Sequence, residues 1–337
     1  MNTRAFIAGC AGPELTLDER HFFRDAEPWG FILFGRNVET PDQVRRLVCD
    51  LREAVGWYAP VLIDQEGGRV QRLRPPHWPE YPPAEPFGAL YRTHPAAALE
   101  AARLNSRAIA ADLFALGIDV DCLPVADLRH PDGHGIIGNR AYGTAPGPVA
   151  ALARAAAVGL MEGGVLPVLK HIPGHGRAPV DSHEKLPVVA ASRAELEAAD
   201  FAAFRELADL PIGMTAHVVY ADIDPDRPAT TSPKVMEEVI RGSIGFEGVL
   251  MSDDLSMGAL AGDMAARCRD ASAAGCDLLL HCNGRMDEMT IVAAEAPVLE
   301  GAPRARAARA LALREPPEAV DAAALRARVA SLLQVVV

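Results

Sequence analysis

The sequence predicts an α/β protein built as a single (β/α)₈ barrel, and three features of the chain lead to this fold class. Short, continuous apolar runs rich in Val, Ile, Leu and Phe recur eight times along the 337 residues. Such runs, which do not alternate with polar residues, are typical of strands buried on both faces of a parallel sheet. A helical segment follows each run, and eight alternating strands and helices favour a closed barrel.

The eight predicted strands are short, and the segments between them carry helical signals. The strands are residues 5–9, 30–34, 60–65, 117–124, 165–171, 211–217, 248–254 and 276–282. One of the helices is expected to begin after Thr40 as N-cap and to end at Gly56. A doubly wound sheet is the structural alternative, but no Gly-x-Gly-x-x-Gly segment follows the first strand.

One proline-rich segment interrupts this alternation. The stretch "PPHWPEYPPAEP" (residues 75–86) is compatible with neither a helix nor a central strand. It is interpreted either as a stiff connecting loop or as a wall beside the active site, and both readings stay open here. We predict one catalytic barrel over residues 1–302, with residues 303–337 forming C-terminal helices that pack on it and not a separate domain.

Composition excludes several classes of partner. The net charge of −12 and the pI near 5.3 argue against nucleic acid, which selects basic surfaces. The six cysteines are scattered, as in proteins of a reducing compartment. The early apolar run is too short for a signal peptide, and no stretch of 18 apolar residues indicates a membrane span. We therefore expect a cytoplasmic protein with no membrane or nucleic-acid partner. The sequence is silent on oligomeric state, and a monomer is the default expectation.

Polar residues follow most of the predicted strands at their C-terminal ends, where the active sites of such barrels lie. Folding alone does not explain charged groups at so many strand ends, so the pattern predicts a pocket for a polar ligand. These residues are Asp64, Glu66, Arg69, Asp121, Asp127, Lys170, His171, His175, His217, Asp253, Asp254, His281 and Asn283.

Two segments of this set resemble the signature segments of glycoside hydrolase family 3. They are "KHIPGHG" (170–176), followed by "DSH" (181–183), and "GFEGVLMSDDLSMGAL" (245–260). The stretches "FILFGRNVE", "IDQEGGRVQRL", "IGNRAYG" and "MTAHVVYADID" fall in the order that this resemblance requires. More narrowly, they are similar to the bacterial cytoplasmic β-N-acetylglucosaminidases that act in peptidoglycan recycling. The resemblance covers roughly residues 5–285 and implies a single-domain barrel.

The resemblance implies a retaining exo-β-N-acetylglucosaminidase that removes terminal non-reducing N-acetylglucosamine from peptidoglycan-derived muropeptides. Such a glycosidase needs a nucleophile that forms a covalent glycosyl-enzyme. Neighbouring strand residues point to opposite faces, so Asp253 and Asp254 cannot both face the substrate. Periodicity leaves the choice open, and the family pattern selects Asp253. Asp254 is then expected to be structural, for example by accepting backbone N–H bonds.

The resemblance also implies a histidine as the general acid and base, in place of the second carboxylate of most retaining glycosidases. This residue is His183, with Asp181 as its orienting partner. Imidazole has an ordinary pKa near 6.5 and can donate and accept protons around neutral pH. Gly174 and Gly176 suit a loop that moves over the sugar.

Sugar hydroxyls are expected to bind at the ends of several strands. Lys170 and His171 end the fifth predicted strand, and the resemblance adds the carboxylate and the two guanidinium groups of Asp64, Arg69 and Arg140. His175 is interpreted either as a contact that shapes the loop or as a direct ligand, and His217 as part of the pocket floor.

Other chemistries remain as alternatives. A metal site is not expected, because Pro173 and Gly174 prevent His171 and His175 from sharing a helix face; no cofactor is predicted. Phosphorolysis is the main alternative, because a neutral histidine does not repel an attacking phosphate. A Schiff-base enzyme using Lys170 and a non-catalytic sugar-binding module are the other two classes, and both leave parts of the pattern unexplained.

Overall fold

Eight parallel strands close into a barrel in the computed structural model, which describes residues 3–334. Each strand pairs with the next along the chain, and the last pairs with the first. The predicted (β/α)₈ fold class is therefore confirmed, and the doubly wound alternative is wrong. The strands are β1 Arg4–Gly9, β2 Pro28–Leu33, β3 Val61–Ile63, β4 Val120–Asp121, β5 Leu166–Ile172, β6 Ile212–Thr215, β7 Val249–Asp254 and β8 Leu278–His281.

Helices surround the barrel, and α2 (Pro41–Val55) carries the expected capping residues at both ends. The Thr40 side chain accepts from the Gln43 N–H at the start of α2, and Gly56 ends that helix with a φ of 70°. No helix among residues 3–334 is long and apolar enough to cross a membrane. The helices are α1 Leu17–Ala26, α2 Pro41–Val55, α3 Glu85–Tyr91, α4 Pro95–Phe114, α5 Pro146–Glu162, α6 Arg193–Ala198, α7 Asp200–Arg205, the π-helix Val235–Ser243, α8 Met264–Ala274, α9 Met286–Glu295, α10 Gly301–Leu311 and α11 Ala322–Leu333.

Alternate strand residues fill the barrel interior and form a core of their own. In β7, Val249 and Met251 belong to this inner core, and Leu250 belongs to the outer core between strands and helices. Because side chains alternate along a strand, Asp253 continues the inner face at the C-terminal end of β7. The fold thus directs Asp253 toward the mouth of the barrel.

The C-terminal helices make different contacts. Ala307 and Ala310 of α10 join the inner core, so α10 covers the N-terminal end of the barrel. Helix α11 packs against α4. The boundary predicted between residues 1–302 and 303–337 falls inside the first turn of α10, which begins at Gly301.

The proline-rich segment (residues 75–86) supports a short hairpin that follows β3. This hairpin pairs Gln65–Gly67 with Val70–Gln71. Trp78 and Tyr81 of the segment are buried in the outer core, and the Gly68 N–H donates to the Tyr81 carbonyl oxygen at 2.7 Å. Most of the segment is a connecting loop that contacts the hairpin, but its last two residues, Glu85 and Pro86, begin helix α3. The expectation that the segment is compatible with no helix is wrong at this end, because the first turn of a helix accepts proline.

Candidate active site

A network of charged side chains lies at the C-terminal ends of β3 and β5. The Lys170 Nζ is 2.8 Å from Asp64 Oδ1 and 2.6 Å from Glu66 Oε1. Arg140 donates to both oxygens of Glu66, each at 2.8 Å, in a bidentate pair. Arg72 Nη2 donates to Asp64 Oδ2 at 2.9 Å. Three cations and two carboxylates therefore meet here, and Lys170 keeps its third N–H for another acceptor.

Asp64, Glu66 and Lys170 are charged near neutral pH. Burial alone would raise the pKa of the Asp64 carboxyl, but Lys170 and Arg72 hold it well below its usual range. Burial would likewise raise the pKa of Glu66, but Arg140 and Lys170 lower it. Burial would lower the pKa of Lys170, and the two carboxylates raise it instead. A Schiff-base lysine needs a neutral amine, so this environment argues against that alternative.

Arg69 lies outside this network. Its exposed guanidinium donates to the carbonyl oxygens of Gly135, Ile136 and Ile137 and so holds the loop that follows β4. Arg72, three residues later, bonds Asp64. From the sequence, Arg69 was expected to bind sugar hydroxyls, and Arg72 was given no role. Both arginines stand in the same segment, and only the register of the hairpin distinguishes them.

Asp253 presents an ionised carboxylate at the end of β7. Burial alone would raise its pKa, but the nearby His217 and His171 imidazoles, the Asp254 N–H and the Lys170 ammonium bring it below the usual value. The Asp254 N–H donates to Asp253 Oδ1 at 2.8 Å. Among residues 3–334 no donor bonds Oδ2, so this oxygen is available for chemistry.

Asp254 turns away and stabilises the strand ends. Its carboxylate accepts from the backbone N–H groups of Ser256 and Cys282, both at 3.1 Å, and from the Ser256 hydroxyl at 2.6 Å. The expectation that Asp254 accepts backbone N–H bonds is confirmed.

Asp127 orients two histidines at the end of β5. Its Oδ2 lies 2.6 Å from His171 Nδ1, and its Oδ1 accepts from the His175 backbone N–H at 2.6 Å. Burial alone would raise the pKa of Asp127, but His171 and His175 lower it. Since a carboxylate only accepts, His171 Nδ1 carries the proton, and Nε2 is available for a ligand. The sequence places Asp127 at a strand end but gives it no role.

His217 is buried and bonded at both ring nitrogens. Nε2 lies 3.0 Å from the Asp254 carbonyl oxygen, and Nδ1 lies 2.7 Å from Thr230 Oγ1. Burial lowers its pKa, so the ring is neutral and Nε2 is the donor. With both nitrogens occupied, His217 supports the end of β7 and has no nitrogen left for a ligand.

His183 and Asp181 form a hydrogen-bonded pair on the loop between β5 and the short strand Val188–Val189. His183 Nδ1 is 2.7 Å from Asp181 Oδ1, which also accepts from the His183 backbone N–H at 2.9 Å. Burial alone would raise the pKa of Asp181, but these two bonds lower it. The His183 side chain is 62% exposed.

His175 lies beneath this loop and contacts it. Its Nε2 is 2.9 Å from Ser182 Oγ, and its ring packs edge-on against His171 with centroids 5.7 Å apart. Burial lowers the pKa of His175 to about 4, so the ring is neutral at physiological pH. Of the two interpretations kept open for His175, this contact favours the one that shapes the loop.

We predict that acid destabilises the fold through His175. Its folded pKa of about 4 lies below the ordinary 6.5, so the unfolded chain binds more protons between these values. Stability is therefore lost as pH falls from about 6.5 to about 4, with His217 acting in the same direction. Urea unfolding at several pH values in this window measures the slope. His175→Gln retains an amide that reaches Ser182 but does not titrate, so its slope is smaller.

Three charged groups near His175 do not change their charge in this window. Asp127 and Asp253 have lowered pKa values and titrate below the window, and Arg140 keeps its charge throughout. An unchanged pH slope in His175→Gln would contradict the assignment.

The histidines near the site do not converge. His171 bonds Asp127, His175 bonds Ser182, and His183 bonds Asp181. Within the described part of the chain, no group of three or more His, Cys, Asp or Glu side chains has a geometry that could hold a metal ion.

Comparison with known proteins gives the family. The profile of the glycosyl hydrolase family 3 N-terminal domain matches residues 17–311. A β-hexosaminidase of Bordetella avium is 39% identical over 277 residues, which are 81% of this chain and 79% of that protein. The chain belongs to glycosyl hydrolase family 3, and the family and enzyme class predicted from the sequence, a glycoside hydrolase of the β-N-acetylhexosaminidase type, are confirmed.

Solved structures agree with this assignment. NagZ of Neisseria gonorrhoeae, in complex with N-trifluoroacetyl-D-glucosamine, superimposes with a TM-score of 0.87 and 33% identity, covering 99% of this chain and 98% of that one. A family 3 β-N-acetylglucosaminidase of Paenibacillus sp. gives a TM-score of 0.82 and 31% identity. That match covers 97% of this chain but 61% of the Paenibacillus chain.

Proposed function

We propose that the protein is a retaining exo-β-N-acetylglucosaminidase that removes terminal non-reducing N-acetylglucosamine from peptidoglycan-derived muropeptides. One observation carries the mechanism: a histidine oriented by a carboxylate, His183 with Asp181, lies on a loop bonded to the segment that follows the ionised Asp253. This arrangement supplies a nucleophile and a proton donor from two different strand ends, as retention requires.

The first step forms the glycosyl-enzyme. Asp253 Oδ2 attacks the anomeric carbon while the bond from that carbon to the leaving oxygen breaks. The proton on His183 Nε2 passes to the leaving oxygen, and the imidazole becomes neutral. The Asp181 carboxylate holds the proton on His183 Nδ1, which leaves Nε2 as the nitrogen that transfers the proton.

The second step releases the sugar. Neutral His183 Nε2 accepts a proton from water, whose oxygen attacks the anomeric carbon. The bond from that carbon to Asp253 breaks, the carboxylate re-forms, and two displacements at one carbon return the original β configuration.

The charged network is suited to hold the sugar during both steps. Lys170, Arg72 and Arg140 donate hydrogen bonds, Asp64 accepts them, and His171 offers Nε2. Glu66 is bonded to two of the cations and fixes their positions. Support for the N-acetylglucosaminyl group comes from the named activity of the β-hexosaminidase relatives and from the glucosamine derivative bound by the Neisseria enzyme.

The test is product analysis with p-nitrophenyl β-N-acetylglucosaminide, by mass, in phosphate-free buffer and in phosphate. We expect free N-acetylglucosamine in both. A sugar 1-phosphate that dominates in phosphate would support the phosphorolysis alternative instead. If no sugar is released in either buffer, the proposed substrate is wrong. Activity is then measured on an N-acetylglucosaminyl-anhydromuramoyl peptide and on chitobiose, and the two rates are compared.

We predict that Arg72, and not Arg69, contributes to sugar binding. Arg72→Ala should lower kcat/KM by about 10- to 100-fold, the equivalent of a charge-assisted hydrogen bond worth roughly 1.5–3 kcal/mol. Arg69→Ala is the matched control in the same hairpin and should change kcat/KM by less than about threefold, because its guanidinium holds loop carbonyls. The reverse ranking of the two variants would restore Arg69 as the sugar ligand.

A further inference from the structure

The loop that carries His183 is bonded to the segment that follows the nucleophile strand. The Gly258 N–H donates to the His183 carbonyl oxygen at 3.1 Å, and the Ala259 N–H donates to the Ser182 carbonyl oxygen at 3.2 Å. Gly258 and Ala259 lie in the first loop after Asp253. Two backbone bonds therefore join the element that holds the proton donor to the element that holds the carboxylate.

Gly258 permits this approach because it has no side chain. A Cβ at this position would lie 2.9 Å from the carbonyl oxygens of both His183 and Glu184. Both obstacles are backbone atoms, so no side-chain rotation relieves the contact. The φ of Gly258 lies outside the left-handed region, so the backbone conformation itself accepts an alanine. Glycine is required here for the close contact between the two loops.

A third contact reaches the loop from below. Ser182 Oγ lies 2.9 Å from His175 Nε2. His175 is itself fixed, because its backbone N–H donates to buried Asp127 and its ring packs against His171. Ser182 is thus held to the end of β5 by its side chain and to the loop after β7 by its carbonyl group.

The first half of the loop is anchored separately. The Tyr220 hydroxyl donates to the Gly174 carbonyl oxygen at 2.6 Å, and Arg177 Nε donates to Asp200 at 2.6 Å. Neither bond involves Ser182 or His183. The imidazole of His183 is exposed and bonds only Asp181 of its own loop among the described residues, so its position depends on the backbone that carries it.

We propose that Gly258, Ser182 and His175 are positioning residues for proton transfer. We call the three bonds the docking contacts: Gly258 N–H to His183 O, Ala259 N–H to Ser182 O, and His175 Nε2 to Ser182 Oγ. They hold His183 at a fixed place relative to Asp253. The inference rests on the acid/base role proposed for His183. Weakening the docking contacts slows the steps that need a proton and spares those that do not.

The test uses aryl β-N-acetylglucosaminides whose phenols range from acidic to weakly acidic. Gly258→Ala should lower kcat/KM for the phenyl glycoside by about 30-fold or more, because misplacement by about 1 Å costs up to 10²-fold. The dinitrophenyl glycoside leaves without protonation and should lose less than about threefold. Gly147→Ala is the matched control, since a Cβ at Gly147 meets nothing within 4 Å. Ser182→Ala should show the same pattern with a smaller loss.

Azide gives a second measurement. A defect that only disturbs the fold would not change its result. With the dinitrophenyl substrate, release of the glycosyl-enzyme limits turnover and needs a base to activate water. Azide attacks the anomeric carbon without losing a proton, breaks the bond to Asp253 and yields the β-glycosyl azide. Azide should therefore raise kcat of Gly258→Ala and Ser182→Ala several-fold and leave wild type nearly unchanged.

His183→Ala separates the two proposals. If it shows the leaving-group dependence and azide acceleration while Gly258→Ala and Ser182→Ala match wild type, or lose activity equally across the series, the positioning role is overturned. If His183→Ala itself lacks both signatures, the acid/base assignment fails instead. The expected result is that both docking variants show a weaker version of the His183→Ala pattern. Ser182→Ala keeps the test valid if Gly258→Ala does not fold.

Discussion

Replacing Asp253 with Asn should lower kcat/KM for every aryl β-N-acetylglucosaminide by at least about 10⁴-fold, because an amide is a poor nucleophile. The loss should not depend on the leaving group, since the bond to the anomeric carbon forms in all cases. The fold should remain intact, because an amide oxygen at this position still accepts from the Asp254 N–H. Initial rates across the substrate series and thermal unfolding measure both effects.

Asp254→Asn is the matched control for this prediction. Asp254 binds Ser256 and the Cys282 N–H and does not face the sugar, so its variant should lose stability before it loses chemistry. If Asp254→Asn removed activity and Asp253→Asn retained it, the nucleophile assignment would be reversed.

Replacing Lys170 with Met should reduce both activity and stability. Lys170 bonds two carboxylates inside a buried network, and its loss leaves Asp64 Oδ1 without a partner. We expect a loss of about 3 kcal/mol in the free energy of unfolding, within the range for breaking a buried ion pair or charged hydrogen bonds. We also expect kcat/KM to fall by at least about 10²-fold, because a charged donor to the sugar is lost. Urea unfolding and initial rates test the two effects.

Two further variants serve as controls for the Lys170→Met result. Arg103→Met removes an exposed pair with Glu162 and should change stability by less than about 1 kcal/mol. Lys170→Met combined with Asp64→Asn should be less destabilised than the sum of the single variants, because the two residues contact each other. Strict additivity, or a stability loss no larger than that of Arg103→Met, would contradict the network.

The barrel could be predicted from sequence because its determinants are local. Each apolar run is buried on both faces by the inner and outer cores, and this leaves a continuous pattern along the chain. The residues that end these runs meet at the barrel mouth. This can be inferred without knowing how the loops fold. This is why Asp64, Lys170 and Asp253 were found as candidate site residues.

The register of individual side chains was harder to predict. Sequence alone left Asp253 and Asp254 undecided, and the structure separates them through the inner face of β7 and the bonds of Asp254. Arg69 and Arg72 lie in one hairpin, and only its pairing shows which of them meets Asp64.

Contacts between distant loops could not be predicted from pattern. The bond between His175 and Ser182 depends on how the loop folds back over β5. The need for glycine at position 258 depends on the carbonyl groups of another loop. Both residues, Ser182 and Gly258, lie inside the segments that resemble the family signatures, but the sequence gives no reason for either one, because the groups that they contact lie on other loops.

The most direct measurement of the central claim is mass analysis of the glycosyl-enzyme. His183→Ala, which is slow in release, is mixed with the dinitrophenyl substrate, quenched in acid and digested. The account predicts that the peptide containing Asp253 gains the mass of one N-acetylglucosaminyl group, and that Asp253→Asn in the same background shows no gain. A sugar found on another residue, or none during steady turnover, would contradict Asp253 as the nucleophile of a retaining mechanism.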